Sequence, residues 1–142
     1  MTSRFILKTK ALPYSSRRLT KAAMAVLSEV IDSRDHLFHF DLALSEACAN
    51  VVRHAYKNIE PGDLEIAIQI TPGVSIEIEV SDWGLGFSRW PVYVKNAEPH
   101  AEGGRGLFIM SELADTFEIR QDQGRHSVYM KINIEEESWK TA

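Results

Sequence analysis

Residues 64–86 read LEIAIQITPGVSIEIEVSDWGLG. Leu64, Ile66, Ile68 and Ile70 fall on one face of an alternating run, and Val74, Ile76, Ile78 and Val80 do the same in the next. A period of two is the mark of a strand with one buried face. Thr71-Pro72-Gly73 between the runs is turn chemistry, so the pair reads as an antiparallel hairpin. The same parity carries Asp82 to the core side of the second strand. A buried carboxylate needs a hydrogen-bond donor. Trp83-Gly84-Leu85-Gly86 follows, where two glycines allow a close approach of backbone.

Outward from the hairpin, the N-terminal side holds two helical patterns. Leu19, Ala22, Ala23, Val26, Leu27 and Val30 follow helical spacing, predicting an amphipathic helix over about 16–32. Pro13 breaks the preceding pattern and Ser15 or Ser16 is available as a cap. Residues 4–10 alternate weakly, as an edge strand would. A second helix, about 36–57, is apolar over most of its circumference. On the C-terminal side, residues 88–102 (SRWPVYVKNAEPHAE) have neither period and two prolines, which predicts a lid-like loop. A short helix at about 104–114 and strands at about 115–121 and 126–134 complete the pattern, and the tail EEESWKTA is expected to fray. The order β-α-α-β-β-loop-α-β-β implies an α+β fold, a two-layer α/β sandwich with helices on one face of a mixed, largely antiparallel sheet. With 142 residues and no linker or repeat, a single domain over 1–142 with its core at about 4–134 is expected.

The net charge of −4 argues against a general nucleic-acid binder. Cys48 is the single cysteine, which excludes an internal disulfide, and its apolar surroundings read as a buried, inert thiol in a reducing cytosol. No apolar run approaches membrane-spanning length and the N-terminus has no secretory pattern, so a soluble, cytoplasmic protein is expected.

Three groups of residues carry possible chemistry. At about 100° per residue, Glu46, Asn50 and His54 of the second helix stand at about 0°, 40° and 80°, with Arg53 at about −20°. The stripe faces either solvent or a polar cavity. Asp82 beside bare backbone can accept a hydrogen bond from an exocyclic amine such as that of adenine, or can cap a strand-ending turn. Gly103-Gly104-Arg105-Gly106-Leu107 leads directly into a helix, whose N-terminal N–H groups suit an anion, with Arg105 as a fixed cation. Taken alone it is equally well a plain loop. It is neither a P-loop nor a dinucleotide fingerprint.

In order and spacing the three groups resemble the nucleotide boxes of the gyrase, heat-shock-ninety, histidine-kinase and mismatch-repair ATPases. Glu46-Ala-Cys-Ala-Asn50-Val-Val-Arg-His54-Ala55 resembles the N box, Asp82-Trp-Gly84-Leu-Gly86 the Asp-x-Gly-x-Gly box, and Gly104-Arg-Gly106-Leu107 the Gly-x-Gly-Leu box. GGRGLFIMSELAD (residues 103–115) and the compact length look most like the anti-sigma-factor serine kinases. That resemblance implies a histidine-kinase-like ATPase fold and a cytoplasmic serine/threonine protein kinase that uses ATP and Mg²⁺. It implies Asn50 as the metal ligand, Asp82 on the adenine amine, and Gly84 and Gly86 admitting the base. Gly104, Gly106, Leu107 and the helix N-terminus would hold the phosphates, Arg105 would reach the terminal ones, and Glu46 would be the general base. The implied partners are an anti-anti-sigma protein, phosphorylated on serine, and a sigma factor, with a homodimer as the assembly and no nucleic acid or membrane. His54 is assigned to packing at the helix end.

Independently of the resemblance, Arg17, Arg18 and Lys21 crowd the expected first turn of the first helix, against the dipole. Arg17 or Arg18 is therefore a candidate contact for an acidic partner surface or a phosphate, with solvated charge as the alternative. A histidine-kinase fragment is disfavoured because there is no His-Glu dipeptide. A gyrase-like ATPase is disfavoured because no room remains after residue 134 for a further domain. Two alternatives stay open: a nucleotide-binding anti-sigma module that phosphorylates nothing, and a kinase whose antagonist belongs to a pathway other than sigma control.

Overall fold

The computed structural model describes residues 1–85 and 105–141. The lid expected at 88–102, together with Gly86 and Gly104, lies outside the described residues. Strand β1 spans Ser3–Lys10, helix α1 Pro13–Val30 and helix α2 Arg34–Asn50, the last continuing into a π-helical turn, Val51–Ala55. Strands β2 (Asp63–Thr71) and β3 (Ser75–Asp82) form the hairpin. Helix α3 (Arg105–Leu113) precedes β4 (Thr116–Asp122) and β5 (Arg125–Asn133). The sheet order is β1-β2-β3-β5-β4, and among the described residues every pairing is antiparallel, without the parallel pair a mixed sheet would have.

The alternation sets the register. Ile66 pairs with Val80, Ile68 with Ile78 and Ile70 with Ile76, while β5 sets Met130 and Val128 against Ile78 and Val80. All these side chains are buried, against Leu19, Ala23 and Leu27 of α1 and Phe40, Leu44 and Ala47 of α2. Val74 is the exception: it belongs to the turn, where Gly73 has φ +75°, and is exposed. The opposite sheet face is polar. Arg125 Nη2 lies 3.2 Å from Glu79 and 3.8 Å from Glu65, and the Arg120 guanidinium sits 3.7 Å from the Tyr129 ring centroid.

Helix α1 begins three residues earlier than its pattern predicts. Pro13 occupies the first turn, where its fixed φ and missing N–H cost nothing, and no side chain caps the helix. Arg17, Arg18 and Lys21 therefore lie beyond the first turn, where the dipole acts weakly, and the dipole argument for them lapses. Helix α2 is capped by Ser33, whose hydroxyl accepts from the His36 N–H at 3.2 Å. Cys48 is buried, and burial pushes its thiol up to about 11, partly offset by a hydrogen bond with Thr20, as an inert thiol requires. Among the described residues no helix is long and apolar enough to cross a membrane.

The tail does not fray. Residues 136–138 form a 3-10 turn and Trp139 pairs with Ile31 between the two long helices. The Trp139 indole donates to the Ile134 carbonyl at 3.1 Å, Asp32 N–H donates to the Ser138 carbonyl at 2.8 Å, and Lys140 N–H to Val30 at 2.9 Å. Glu135 accepts from the Ser138 hydroxyl and lies 3.1 Å from His36 Nε2, and these contacts pull its carboxyl down to about 2. Removing residues 135–142 is expected to lower unfolding free energy by about 2–4 kcal/mol, read by urea denaturation. The Glu135 contribution is complete above the usual carboxylate range and disappears as pH falls towards about 2. Glu135→Gln should accordingly flatten that part of the acid-unfolding profile.

Candidate functional site

The polar stripe of α2 is not a solvated face at its centre. Asn50, its last regular residue, is 2% exposed, and among the described residues neither its Oδ1 nor its Nδ2 has a hydrogen-bond partner. An unsatisfied buried polar group costs about 1–3 kcal/mol. Such an amide at the end of a helix can offer one acceptor and one donor to a ligand. A neutral amide oxygen is a fitting donor for a hard divalent cation that keeps most of its coordination for water and phosphate. Glu46 stands one turn earlier and is half-buried.

After Asn50 the helix widens into the π-helical turn, a feature frequent at functional sites. The angles expected for Arg53 and His54 on a regular helix therefore do not hold. The turn also serves as an anchor. Leu85 N–H donates to the Ala55 carbonyl at 2.7 Å, Trp83 N–H donates to the Tyr56 hydroxyl at 3.0 Å, and that hydroxyl donates to the Asp63 carbonyl at 2.6 Å. A Cβ on Gly84 would lie 2.0 Å from the Ala55 carbonyl oxygen. Gly84 is thus demanded by the contact of β3's end with α2, whatever it also admits.

Asp82 closes β3 and is 2% exposed. Its Oδ1 accepts the Gly84 N–H at 2.9 Å, so the capping alternative is realised with one oxygen. Burial raises its carboxyl above the usual range, partly offset by the Gly84 hydrogen bond and by His126. The first turn of α3 rests on α2 from the other side. A Cβ on Gly106 would come 2.5 Å from the Leu42 carbonyl oxygen and 2.8 Å from Glu46 Cγ. Glycine there lets α3 begin beside Glu46. Leu107 is fully buried and acts as a core side chain, so only its backbone can serve a ligand. Arg105 is the first residue of α3.

Glu46, Asn50, Gly84 and Gly106 are therefore distributed along the C-terminal half of α2 and the π turn, with Asp82 two residues before Gly84. Arg17 is not among them. It lines a groove of about 560 Å³ between α1 and α2 with Lys21, Asp41, Ser45 and Arg53, and its guanidinium lies 4.6 Å from the Tyr14 ring centroid. Arg18 is exposed and does not line that groove. Two residues escaped the sequence reading, Tyr56 and His126. Tyr56 carries no periodic signal. His126 does, because it shares parity with Val128, Met130 and Ile132, which puts it on the core side.

Residues 9–132 match the histidine kinase-like ATPase domain. The chain belongs to the histidine kinase-like ATPase family. Its α+β sandwich is the fold expected of that family, and the resemblance read from the three boxes holds at this level. Curated relatives include Serine-protein kinase RsbW of Bacillus cereus (strain AH820) and of Bacillus anthracis, each 33% identical over 115 residues, 75% of this chain and 69% of the relative. The protein of the same name from Bacillus thuringiensis (strain Al Hakam) is 31% identical over the same span. Replacing Gly84 or Gly106 with alanine is expected to lower stability by about 1–3 kcal/mol through overpacking. Thermal or urea unfolding measures it, and Gly73→Ala in the open hairpin turn, strained but uncrowded, serves as the control for conformation alone.

Proposed function

We propose that the chain is a serine protein kinase that uses Mg²⁺ and ATP to phosphorylate a serine of an anti-anti-sigma protein, and that it sequesters a sigma factor when that antagonist is absent. The observation that carries the reading is the buried amide of Asn50, without a hydrogen-bond partner among the described residues and one helical turn from Glu46, which itself lies beside the start of α3. The serine-protein kinases among the relatives support the reaction class. The partner-switching circuit, the cytoplasmic location and a homodimer rest on the family resemblance.

In this reading Asn50 Oδ1 holds the metal ion, and Asp82 accepts from the adenine amine. Gly84 and Gly86 would admit the base, and Gly104, Gly106, Leu107 and Arg105 would hold the phosphates. Bound Mg²⁺ supplies neutralisation of the phosphate oxygens. Glu46 accepts the proton of the attacking serine hydroxyl as its Oγ displaces ADP from the terminal phosphoryl group. General-base help of this kind gives about 10²–10⁴ in rate, so positioning and charge supply the remainder. Arg17, together with Lys21 and Arg53 along the groove, is the proposed contact for the protein substrate, and Arg18 is its exposed neighbour.

Calorimetry with ATP and Mg²⁺ tests the site. Asn50→Ala should abolish magnesium-dependent binding, and Asp82→Asn should weaken ATP by about tenfold or more, since a mismatched buried hydrogen bond costs about 1–3 kcal/mol. Glu46→Gln should lower phosphate transfer to the co-purified antagonist by about 10²–10⁴ while ATP still binds. Wild type that binds ATP tightly and transfers no phosphate would favour a nucleotide-gated binding module. A phosphorylated partner with no link to a sigma factor would favour a kinase of another pathway.

A further inference from the structure

Tyr56 closes the π turn directly after Ala55 and is buried, and three elements meet at its hydroxyl. The Ala11 N–H donates to the Gly62 carbonyl at 2.8 Å, so the carbonyls of Gly62 and, two residues on, Leu64 face β1. Along an antiparallel strand the sides alternate, and the backbone groups of Asp63 and Glu65 therefore face β3. Past the last registered pair, Leu64 with Asp82, a regular ladder would next join the Trp83 N–H to the Asp63 carbonyl. The Tyr56 hydroxyl stands there instead. It accepts from the Trp83 N–H at 3.0 Å and donates to the Asp63 carbonyl at 2.6 Å. With this oxygen inserted, β3 ends at Asp82 and the chain turns out of the sheet. The Gly84 N–H returns to Asp82 Oδ1 at 2.9 Å, and the Leu85 N–H reaches the Ala55 carbonyl at 2.7 Å. The ring that carries the hydroxyl has little freedom, since a Cβ on Gly62 would lie 2.7 Å from its edge and 2.9 Å from its oxygen. Burial pushes the phenol up, offset in part by the Trp83 bond and reinforced by the Asp82 and Asp63 carboxylates, so the hydroxyl keeps the proton it donates.

We infer that Tyr56 is a positioning residue for the nucleotide site: its hydroxyl replaces the closing bond of the β2–β3 ladder and so fixes the direction in which Asp82 presents its carboxylate. The inference rests on the reading of Asp82 as the acceptor for the exocyclic amine. A direct ladder bond at this place would need no side chain and would tie β3 only to β2. A hydroxyl supplied from the end of α2 ties the strand end to the helix that carries Glu46 and Asn50. Without it, the Trp83 N–H and the Asp63 carbonyl face each other across the gap of one oxygen. Two unpaired backbone groups in a part-buried place are costly, and closing on each other is the nearest repair. β3 would then run on by one residue and draw the turn at 82–85 away from Ala55. The Asp82 carboxylate would remain, but out of line with the amine, and hydrogen bonds weaken steeply off their axis. The phosphate end of the nucleotide, assigned to Asn50 and the start of α3, would be unaffected.

The test is calorimetry on the full chain, wild type against Tyr56→Phe, which keeps the ring and removes only the hydroxyl. Two ligands are compared, MgATP and the magnesium complex of purine riboside triphosphate, which lacks the exocyclic amine. Wild type should prefer ATP by about tenfold or more, the worth of one well-placed hydrogen bond. In Tyr56→Phe that preference should fall by about threefold or more through weaker ATP binding, with the amine-free nucleotide bound as before. Gly62→Ala crowds the hydroxyl from its other side without removing it, and should lower the preference in the same direction. It decides the matter if the phenylalanine variant does not fold. A role confined to stability would lower the unfolding midpoint and weaken both nucleotides alike, leaving the preference unmoved. A folded Tyr56→Phe with the wild-type preference would therefore overturn the role of Tyr56 and leave the reading of Asp82 standing. Wild type that binds the two nucleotides equally, or binds neither, would overturn the reading of Asp82 and this role with it.

Discussion

Two contacts of backbone on backbone, both made by α2, hold the site together. Beyond its C-terminal end the Ala55 carbonyl receives the chain at Gly84 and Leu85, and at its centre the Leu42 carbonyl, with Glu46 one turn on, receives Gly106. Neither contact has space for a methyl group, so neither can loosen gradually. Interiors packed to crystal-like density respond to added volume by displacement of whole elements. The end of β3 thus meets α2 at Ala55, two residues after Asp82, and the start of α3 meets it at Leu42 and Glu46. One helix and two glycines therefore set where the end of β3 and the start of α3 can lie.

The hairpin, the core face of the sheet and most of the helical core were legible because each depends on a local period. The departures are as informative. Pro13 reads as a breaker, but at the first turn of a helix it is favourable, so one residue type carries two opposite meanings that only the following backbone resolves. The tail was misread because its anchors, Ile31, Val30 and Asp32, lie about a hundred positions away in sequence, and no window on residues 135–142 contains them. The π turn after Asn50 left no trace in the pattern, since its apolar residues suit a regular helix equally well.

In the site, Glu46, Asn50 and Asp82 could be picked out from spacing and parity, and the glycines from their position beside helix and strand ends. The reason those glycines are required was only partly legible. Gly84, read as admitting a base, and Gly106, read as holding phosphates, are each also required by the close approach of α2. Tyr56 and His126 were missed for a common reason. Each meets a partner that no local window contains, Tyr56 the Trp83 N–H and His126 its register partner Asp82. Parity gives the face of a residue, but which residue lies opposite depends on a register that alternation alone does not specify.

The sheet order has a consequence for biosynthesis. The last strand is not an edge. β5 inserts between β3 and β4, so β3 stays one-sided until residues 125–133 have been made and have left the ribosome. Until then the apolar faces of Ile76, Ile78 and Val80 are covered from one flank only, and an open strand of that kind is an invitation to wrong pairing. Insertion of a late strand into the middle of a sheet closes long loops and is slow. The nascent chain must therefore protect its hairpin, with α1 and α2 as the available cover, for as long as translation of the remaining residues takes.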